Sequence, residues 1–207
     1  KQYLPLLGRA VLLQTLDLFR AMQTCTGIVI ATDDEATVRT LLGNSLSHGN
    51  ITLVRGGARR QDSVANAIAA LPVHGDAVVL IHDAARPCVQ PAHVQAVADA
   101  AEFHGAAVLA VPARDTLKEV RNRRIVRTVD RALIWQAQTP QGGHIDLLRR
   151  AFSRAQAEGR DATDDVSLIE ALDYPVHIVE GVHSNIKITH PEDLIVAEAI
   201  LRQQGRE

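Results

Sequence analysis

The segment His82-Asp-Ala-Ala-Arg-Pro87 sets a carboxylate and a guanidinium close together, directly after the most apolar short run in the chain, Ala77 to Ile81. A lone aspartate beside a bound nucleotide is sufficient chemistry for Mg²⁺, which takes one or two carboxylates and completes its shell with phosphate oxygens and water. Asp83 is therefore a candidate metal ligand; the alternative use of the same carboxylate is to cap a helix starting near Pro91. Upstream, Gly56-Gly57 followed by Arg59, Arg60, Asp62 and Ser63 reads as a turn into a helix, where backbone N–H groups can meet a base or a phosphate. The same residues also suit an ordinary strand-to-helix turn with solvated arginines. Lysine occurs only at Lys1, Lys118 and Lys187. Lys187 is central in Asn185-Ile-Lys-Ile-Thr189, read as a short apolar strand, and either reaches a phosphate or faces solvent. Lys and Arg gathered around phosphates stabilise the charge of a phosphoryl transfer, each group worth about 3 kcal/mol by analogy with oxyanion sites. Thr163-Asp164-Asp165 heads the helical stretch Val166 to Leu172, where the polar groups serve either a ligand or the helix N-terminus.

Those residues need elements to position them. Apolar, β-branched runs at Ile28 to Ala31, Ile51 to Val54, Ala77 to Ile81 and Ala106 to Val111 read as buried strands. Helical spacing fills the intervals, through Val11, Leu12, Thr15, Leu16 and Phe19, through Val64, Ala67, Ile68 and Leu71, and through Val94, Val97, Ala98 and Ala101. The alternation predicts an α/β fold of Rossmann-like type, a mostly parallel sheet with helices on both faces. Ligands of such sheets gather at the carboxyl ends of the strands, here Thr32 to Asp34, Arg55 to Ser63, His82 to Arg86 and Pro112 to Thr116. After Thr116 the pattern becomes a hairpin, Leu117 to Val120 and Ile125 to Val129 around the polar turn Arg121 to Arg124. A lone hairpin is marginal in water, so this protruding arm is expected to lie against a second subunit. Val176 to Val179 reads as a further strand, and Thr189 with Glu192 has capping-box spacing at the head of a last helix near Pro191.

Composition narrows the function classes. The 207 residues, 46% hydrophobic, suit one globular domain spanning 1–207. A formal charge of -2 with no basic stripe predicts no nucleic-acid or membrane partner, and no apolar run reaches the length of a bilayer span. Cys25 and Cys88 lack metal-ligand spacing and read as free thiols of a reducing, cytoplasmic environment. The nine histidines form no zinc pattern, and neither a nucleophile elbow nor a Walker loop is present. The chain opens on Lys1-Gln2-Tyr3 without an initiator methionine, so residues upstream of Lys1 are expected.

The order and wording of these segments resemble one family along the whole chain. The matching strings are Lys1-Gln-Tyr3, Gly56-Gly57 with Arg60-x-x-Ser63-Val64, Val79-Leu-Ile-His-Asp-Ala-Ala-Arg-Pro87 and Pro112-x-x-Asp-Thr116. They continue with Thr128-Val-Asp-Arg131, Gln138-Thr-Pro-Gln141, Thr163-Asp-Asp165, Val179-Glu-Gly181 and Asn185-Ile-Lys-Ile-Thr-x-Pro-Glu-Asp193. The chain is similar to the methylerythritol-phosphate cytidylyltransferases, homodimeric enzymes of the nucleotide-diphospho-sugar transferase fold in the non-mevalonate route to isoprenoids.

The resemblance implies an Mg²⁺-dependent transfer of CMP from CTP to methylerythritol 4-phosphate, with pyrophosphate leaving and no covalent enzyme intermediate. It makes Lys1 the last residue of a nucleotide-binding loop that stabilises the triphosphate. An apolar strand and the Gly/Arg-rich part of that loop would precede it. Asp83 would hold Mg²⁺ and touch the substrate, while Gly57, Ser63 and Ala84 would line the cytidine pocket. Arg86, Thr116, Arg131, Thr139, Thr163 and Lys187 would surround the methylerythritol phosphate, with Arg131 and Lys187 gripping its phosphate. Residues 117–131 would form the dimerisation arm and bring Arg131 to a shared site. Two alternatives stand beside this reading: a cytidylyltransferase for ribitol 5-phosphate, and a catalytically silent relative that only binds nucleotide.

Overall fold

The computed structural model describes residues 1–48 and 50–206. After a small hairpin, β1 (Pro5–Leu6) and β2 (Arg9–Ala10), helix α1 (Val11–Ala21) leads into β3 (Ile28–Thr32), α2 (Glu35–Leu42), α3 (Ser45–His48) and β4 (Ile51–Arg55). Then follow α4 (Arg60–Ala70), β5 (Val78–Ile81), α5 (Pro91–His104), β6 (Ala106–Pro112) and the hairpin β7 (Leu117–Arg121) and β8 (Arg124–Val129). A 3₁₀ turn (Arg131–Leu133) precedes β9 (Trp135–His144), α6 (Ile145–Glu158), α7 (Val166–Glu170), β10 (His177–Glu180) and α8 (Glu192–Gln203).

Strands β3 and β4 pair in parallel, and a four-stranded sheet runs in the order β10-β6-β9-β5. β10 lies parallel to β6, and β9 runs antiparallel between β6 and β5. The continuous burial of β6 follows from helices on both faces. Its alternate residues divide the core: Ala106 and Val108 pack with Ile145, Leu148 and Ile169 of α6 and α7, while Ala107 and Leu109 pack with Val94, Val97 and Ala101 of α5. On the β3–β4 pair, Ile28, Ile30 and Leu53 meet Leu12, Leu16, Val38 and Leu42 of α1 and α2. A last cluster seats Leu201 and Ala197 of α8 on Leu6, Val11 and Cys88.

The sequence reading is extended by β9 and corrected near the C-terminus. β9 carries few β-branched residues, and its burial comes from its neighbours. A Cβ at Gly142 would stand 2.0 Å from the Val79 carbonyl oxygen, so only glycine lets the strands approach. Pro140 falls where the β6–β9 register shifts between Val108 and Ala110, a bulge that tolerates its missing N–H. Ile186 to Thr189 is not a strand: this segment crosses the sheet's end, and Ile188 makes a single backbone bond to Ala85 O, 2.8 Å. At the head of α8, Asp193 rather than Glu192 takes the amides of Thr189 and His190, at 2.7 and 2.8 Å.

The expected hairpin forms. β7 and β8 pair antiparallel around Asn122 and Arg123, whose φ values of 50° and 62° give the two-residue turn that matches strand twist. Lys118–Thr128 and Arg121–Glu119–Arg127 bonds run along the hairpin, while Val120, Ile125 and Val126 are exposed, as is Leu133 at its base. No helix among the described residues is long and apolar enough to cross a membrane. Both cysteines are free, Cys88 buried and Cys25 half-buried.

Candidate functional site

The carboxyl end of β5 delivers His82 and Asp83 to the sheet edge, where a polar chain fixes their orientation. The Asp83 N–H donates to Thr139 Oγ1 at 3.1 Å, Thr139 Oγ1 lies 3.1 Å from His82 Nδ1, and His82 Nε2 lies 3.1 Å from the Arg86 carbonyl oxygen. A carbonyl only accepts, so Nε2 carries the proton. Burial pushes the imidazole pKa down to about 4, so the ring is neutral at pH 7, Nδ1 accepts and the Thr139 hydroxyl donates to it. The Asp83 backbone is thereby held from below by β9.

Three cations converge on the Asp83 side chain. Lys187 Nζ lies 2.7 Å from Oδ2, Arg60 Nε lies 3.0 Å from Oδ1, and Arg86 Nε stands 3.9 Å from Oδ2. Burial works against ionisation, but the bond from Lys187 and the charge of Arg60 override it and hold Asp83 near 2. Asp83 does not cap α5, which starts behind Gln90 without a side-chain cap. The two terminal nitrogens of Arg60 bind Asp165 at 3.0 and 2.7 Å, and Gln141 Nε2 adds a third bond to Asp165 Oδ2 at 2.7 Å. Arg86 is largely buried; its Nη1 donates to Asn185 O at 2.8 Å, and its buried Nε has no hydrogen-bond partner among the described residues. Burial draws the Arg86 pKa down, Asp83 holds it up, and Arg60 lowers it again.

The glycine turn immediately precedes Arg60 of this cluster in sequence. Gly57 N–H donates to Ser63 Oγ at 2.9 Å, closing the turn onto the first residues of α4. A Cβ on Gly57 would lie 2.3 Å from Asp62 Cβ, so the backbone there passes too close to α4 for any side chain. Arg59 is not freely solvated: it is tied to Asp62 and Asp161. Ala84 accepts a 2.8 Å bond from Thr15 Oγ1 through its carbonyl, which locks the loop after Asp83 onto α1.

The structure brings together Asp83, Arg86, Lys187 and Thr139, and pairs Gly57 with Ser63. Thr139 is buried, with its hydroxyl spent on Asp83 and His82. Lys1, Thr116 and Thr163 are exposed, and no described contact joins them to Asp83. Arg131 lies in the turn at the base of the arm and donates to the Arg114 carbonyl rather than approaching Lys187. His82, Gln141 and Asn185 carry no site role in the sequence reading, and Arg60 and Asp165 enter it only within the glycine turn and the helix head. All five lie inside the strings that carry the resemblance, which was the available signal.

An α/β sheet with a cationic cluster at the carboxyl end of its strands presents positive charge at the edge where such folds take their ligands, as a nucleotidyltransferase requires. The sequence model of the family described as 2-C-methyl-D-erythritol 4-phosphate cytidylyltransferase matches residues 1–203. The enzyme of that name from Bacillus velezensis is 41% identical over 99% of this chain and 89% of its own, and that from Syntrophotalea carbinolica is 43% identical over the same shares. The crystal structure of the Thermus thermophilus enzyme superposes with a TM-score of 0.83 at 38% identity, covering 98% of this chain and 93% of its own. That of the Francisella tularensis enzyme gives 0.87 at 33% identity, covering 97% and 93%. The chain belongs to the 2-C-methyl-D-erythritol 4-phosphate cytidylyltransferase family.

Proposed function

We propose that the protein joins CMP from CTP to 2-C-methyl-D-erythritol 4-phosphate, giving 4-diphosphocytidyl-2-C-methyl-D-erythritol and pyrophosphate. The observation that carries the reading, beside family membership, is the charge balance at the sheet edge. Three cations, Arg60, Arg86 and Lys187, face two carboxylates, Asp83 and Asp165, and the buried Nε–H of Arg86 is left without a partner. Such an excess, with a free donor, is what a phosphate group completes.

The donor set suits Mg²⁺: Asp83 is an oxygen ligand, ionised at every physiological pH, and no group of three His, Cys, Asp or Glu among the described residues forms a cage that would select another metal. Asp83 would hold the ion. When bound, it would neutralise phosphate charge. A phosphate oxygen of the methylerythritol phosphate attacks the α-phosphorus of CTP in line; the new P–O bond forms as the bond to the β-phosphate breaks, and the electron pair leaves with pyrophosphate. Lys187 turns from Asp83 to the acceptor phosphate, and Arg86 offers its unpaired Nε–H. Gly57, Ser63 and Ala84 line the cytidine pocket, Lys1 meets the triphosphate, and Thr116, Thr139 and Thr163 shape the acceptor side. No Ser/His or Cys/His nucleophile is required, because positioning and charge neutralisation suffice.

Arg131 is the acceptor-phosphate ligand supplied from a second copy. Support comes from its place at the root of an arm whose Val120, Ile125 and Val126 are exposed, a surface that dimerisation through residues 117–131 would cover. Residues 1–207 act as one nucleotidyltransferase domain, and the free thiols suit a cytoplasmic enzyme.

Pyrophosphate release with CTP, Mg²⁺ and methylerythritol 4-phosphate tests the proposal, run beside ribitol 5-phosphate and beside Asp83→Ala. Release with methylerythritol phosphate alone, lost in the variant, is expected. Release with ribitol phosphate instead would reassign the acceptor, and CTP binding without release from either would make the protein a silent nucleotide binder.

A further inference from the structure

We infer that Asp165 is a positioning residue for the transfer: by holding the fork of Arg60, it confines Arg60 to one oxygen of Asp83 and leaves the other exchangeable. This rests on the reading of Asp83 as the metal-holding carboxylate.

The bland use of Asp165 is to cap α7, and the structure assigns that work elsewhere. Asp165 sits at the N-cap position with helical φ and ψ of −80° and −31° and no side-chain cap bond. Its neighbour Asp164 takes the Ser167 N–H instead, at 3.0 Å. The Asp165 carboxylate points inward, is 2% exposed and receives three bonds, two from Arg60 and one from Gln141, itself 1% exposed. Burying a carboxylate is costly unless it is fully paired, so the arrangement needs a purpose beyond local structure.

Its consequence is geometric. A free guanidinium prefers to grip a carboxylate with two parallel bonds. Here the two terminal nitrogens face Asp165, and the guanidinium so oriented meets Asp83 through Nε alone, at Oδ1. Oδ2 is held by the single ammonium of Lys187 at 2.7 Å, with Arg86 Nε at 3.9 Å. An ammonium on a flexible stem is readily traded for a divalent cation, whereas a closed guanidinium fork is not. Asp165 thereby keeps Asp83 available as a one-oxygen metal ligand, and Lys187 is free to swing to a phosphate when the cation arrives.

The test is Mn²⁺ binding to the protein–CTP complex without acceptor, read by the electron paramagnetic resonance of free Mn²⁺, for wild type, Asp83→Ala, Asp165→Asn and Asp165→Glu. Loss of an outer-shell partner typically weakens a metal about ten- to a hundredfold, and Asp165→Asn is expected to fall in that range. Asp165→Glu, which can still bind the fork, should recover most of the affinity. A crystal structure of Asp165→Asn should show Arg60 closed over both Asp83 oxygens. If Asp83→Ala abolishes Mn²⁺ binding but Asp165→Asn stays within twofold of wild type, the positioning role is wrong and the metal reading stands. If Asp83→Ala leaves binding intact, the metal reading fails and this inference with it. Equal losses in Asp165→Asn and Asp165→Glu, with Arg60 unmoved in the crystal, would mark Asp165 as merely structural.

Discussion

Acidification of the ligand-free protein offers a direct measure of the cationic cluster. The Asp83 carboxyl goes from an ordinary 3.8 to about 2 on folding. Burial alone would drive it upward, so the downward direction is the net work of the Lys187 bond and the Arg60 charge. A group whose folded pKa is depressed contributes stability above its unfolded pKa and loses it as the pH falls through the folded one. The contribution is therefore full above about pH 4 and nearly gone by about pH 2. At 1.36 kcal/mol per pKa unit it amounts to roughly 2 kcal/mol. Asp83 is 13% exposed, so solvent screening takes little from that figure. Carbonyl-detected NMR of the Asp83 carboxyl should give a midpoint near 2 in wild type and a clear upward move in Lys187→Met. Urea unfolding should show wild type losing about 2 kcal/mol more than Asp83→Asn between pH 5 and pH 2. An Asp83 midpoint at or above 3.8, or equal losses in the two proteins, would refute the argument that the three cations converge on this carboxylate.

Three further outcomes follow from the same geometry. Arg60→Met leaves the carboxylate of Asp165 buried without its cation and should cost about 3–5 kcal/mol in urea unfolding, whereas adding Asp165→Leu should return much of it. Nitrogen-15 NMR of His82 should report a neutral ring protonated at Nε2 throughout pH 7 to 5, with charging only near pH 4 as burial dictates. Gly57→Ala forces a Cβ into Asp62 and the main chain of α4 and should weaken CTP binding at least tenfold by calorimetry while the circular dichroism stays unchanged.

The strands that could be read from the sequence are those whose burial is written in their own side chains. Ile28–Thr32, Ile51–Arg55, Val78–Ile81 and Ala106–Pro112 appear within a residue or so of their expected bounds, because runs of Val, Ile and Ala leave few alternatives to a doubly covered sheet. β9 was not read, since Gln138-Thr-Pro-Gln-Gly-Gly143 looks like a loop: its residues are selected by how closely β5 and β6 approach, which no local pattern records. The opposite error occurred at Ile186 to Thr189, where alternating apolar residues look like a strand although the segment anchors Lys187 through Asn185 and Ile188 to the loop below. Asp83 was legible from its place after an apolar strand. Asp165 was not, because two adjacent aspartates at a helix head do not reveal which one caps and which one turns inward.

The two carboxylates of the cluster differ by environment more than by chemistry. Concentrating Arg60, Arg86 and Lys187 in one place costs repulsion, which Asp83 and Asp165 relieve. Asp165, 2% exposed and bonded by both Arg60 and Gln141, is a fixed counter-ion: burial pushes its pKa up against those bonds, and removing Arg60 strands it. Asp83 is reachable from solvent and bonded to each cation by a single contact, so its partners can be exchanged one at a time. In the proposed reaction a phosphate entering the cluster would take Lys187 and the unpaired Arg86 Nε–H while Arg60 stays on Asp165, and the freed Asp83 oxygen would then be open to a cation. The cluster thus holds its positive charge on one fixed counter-ion and one whose partners are single contacts.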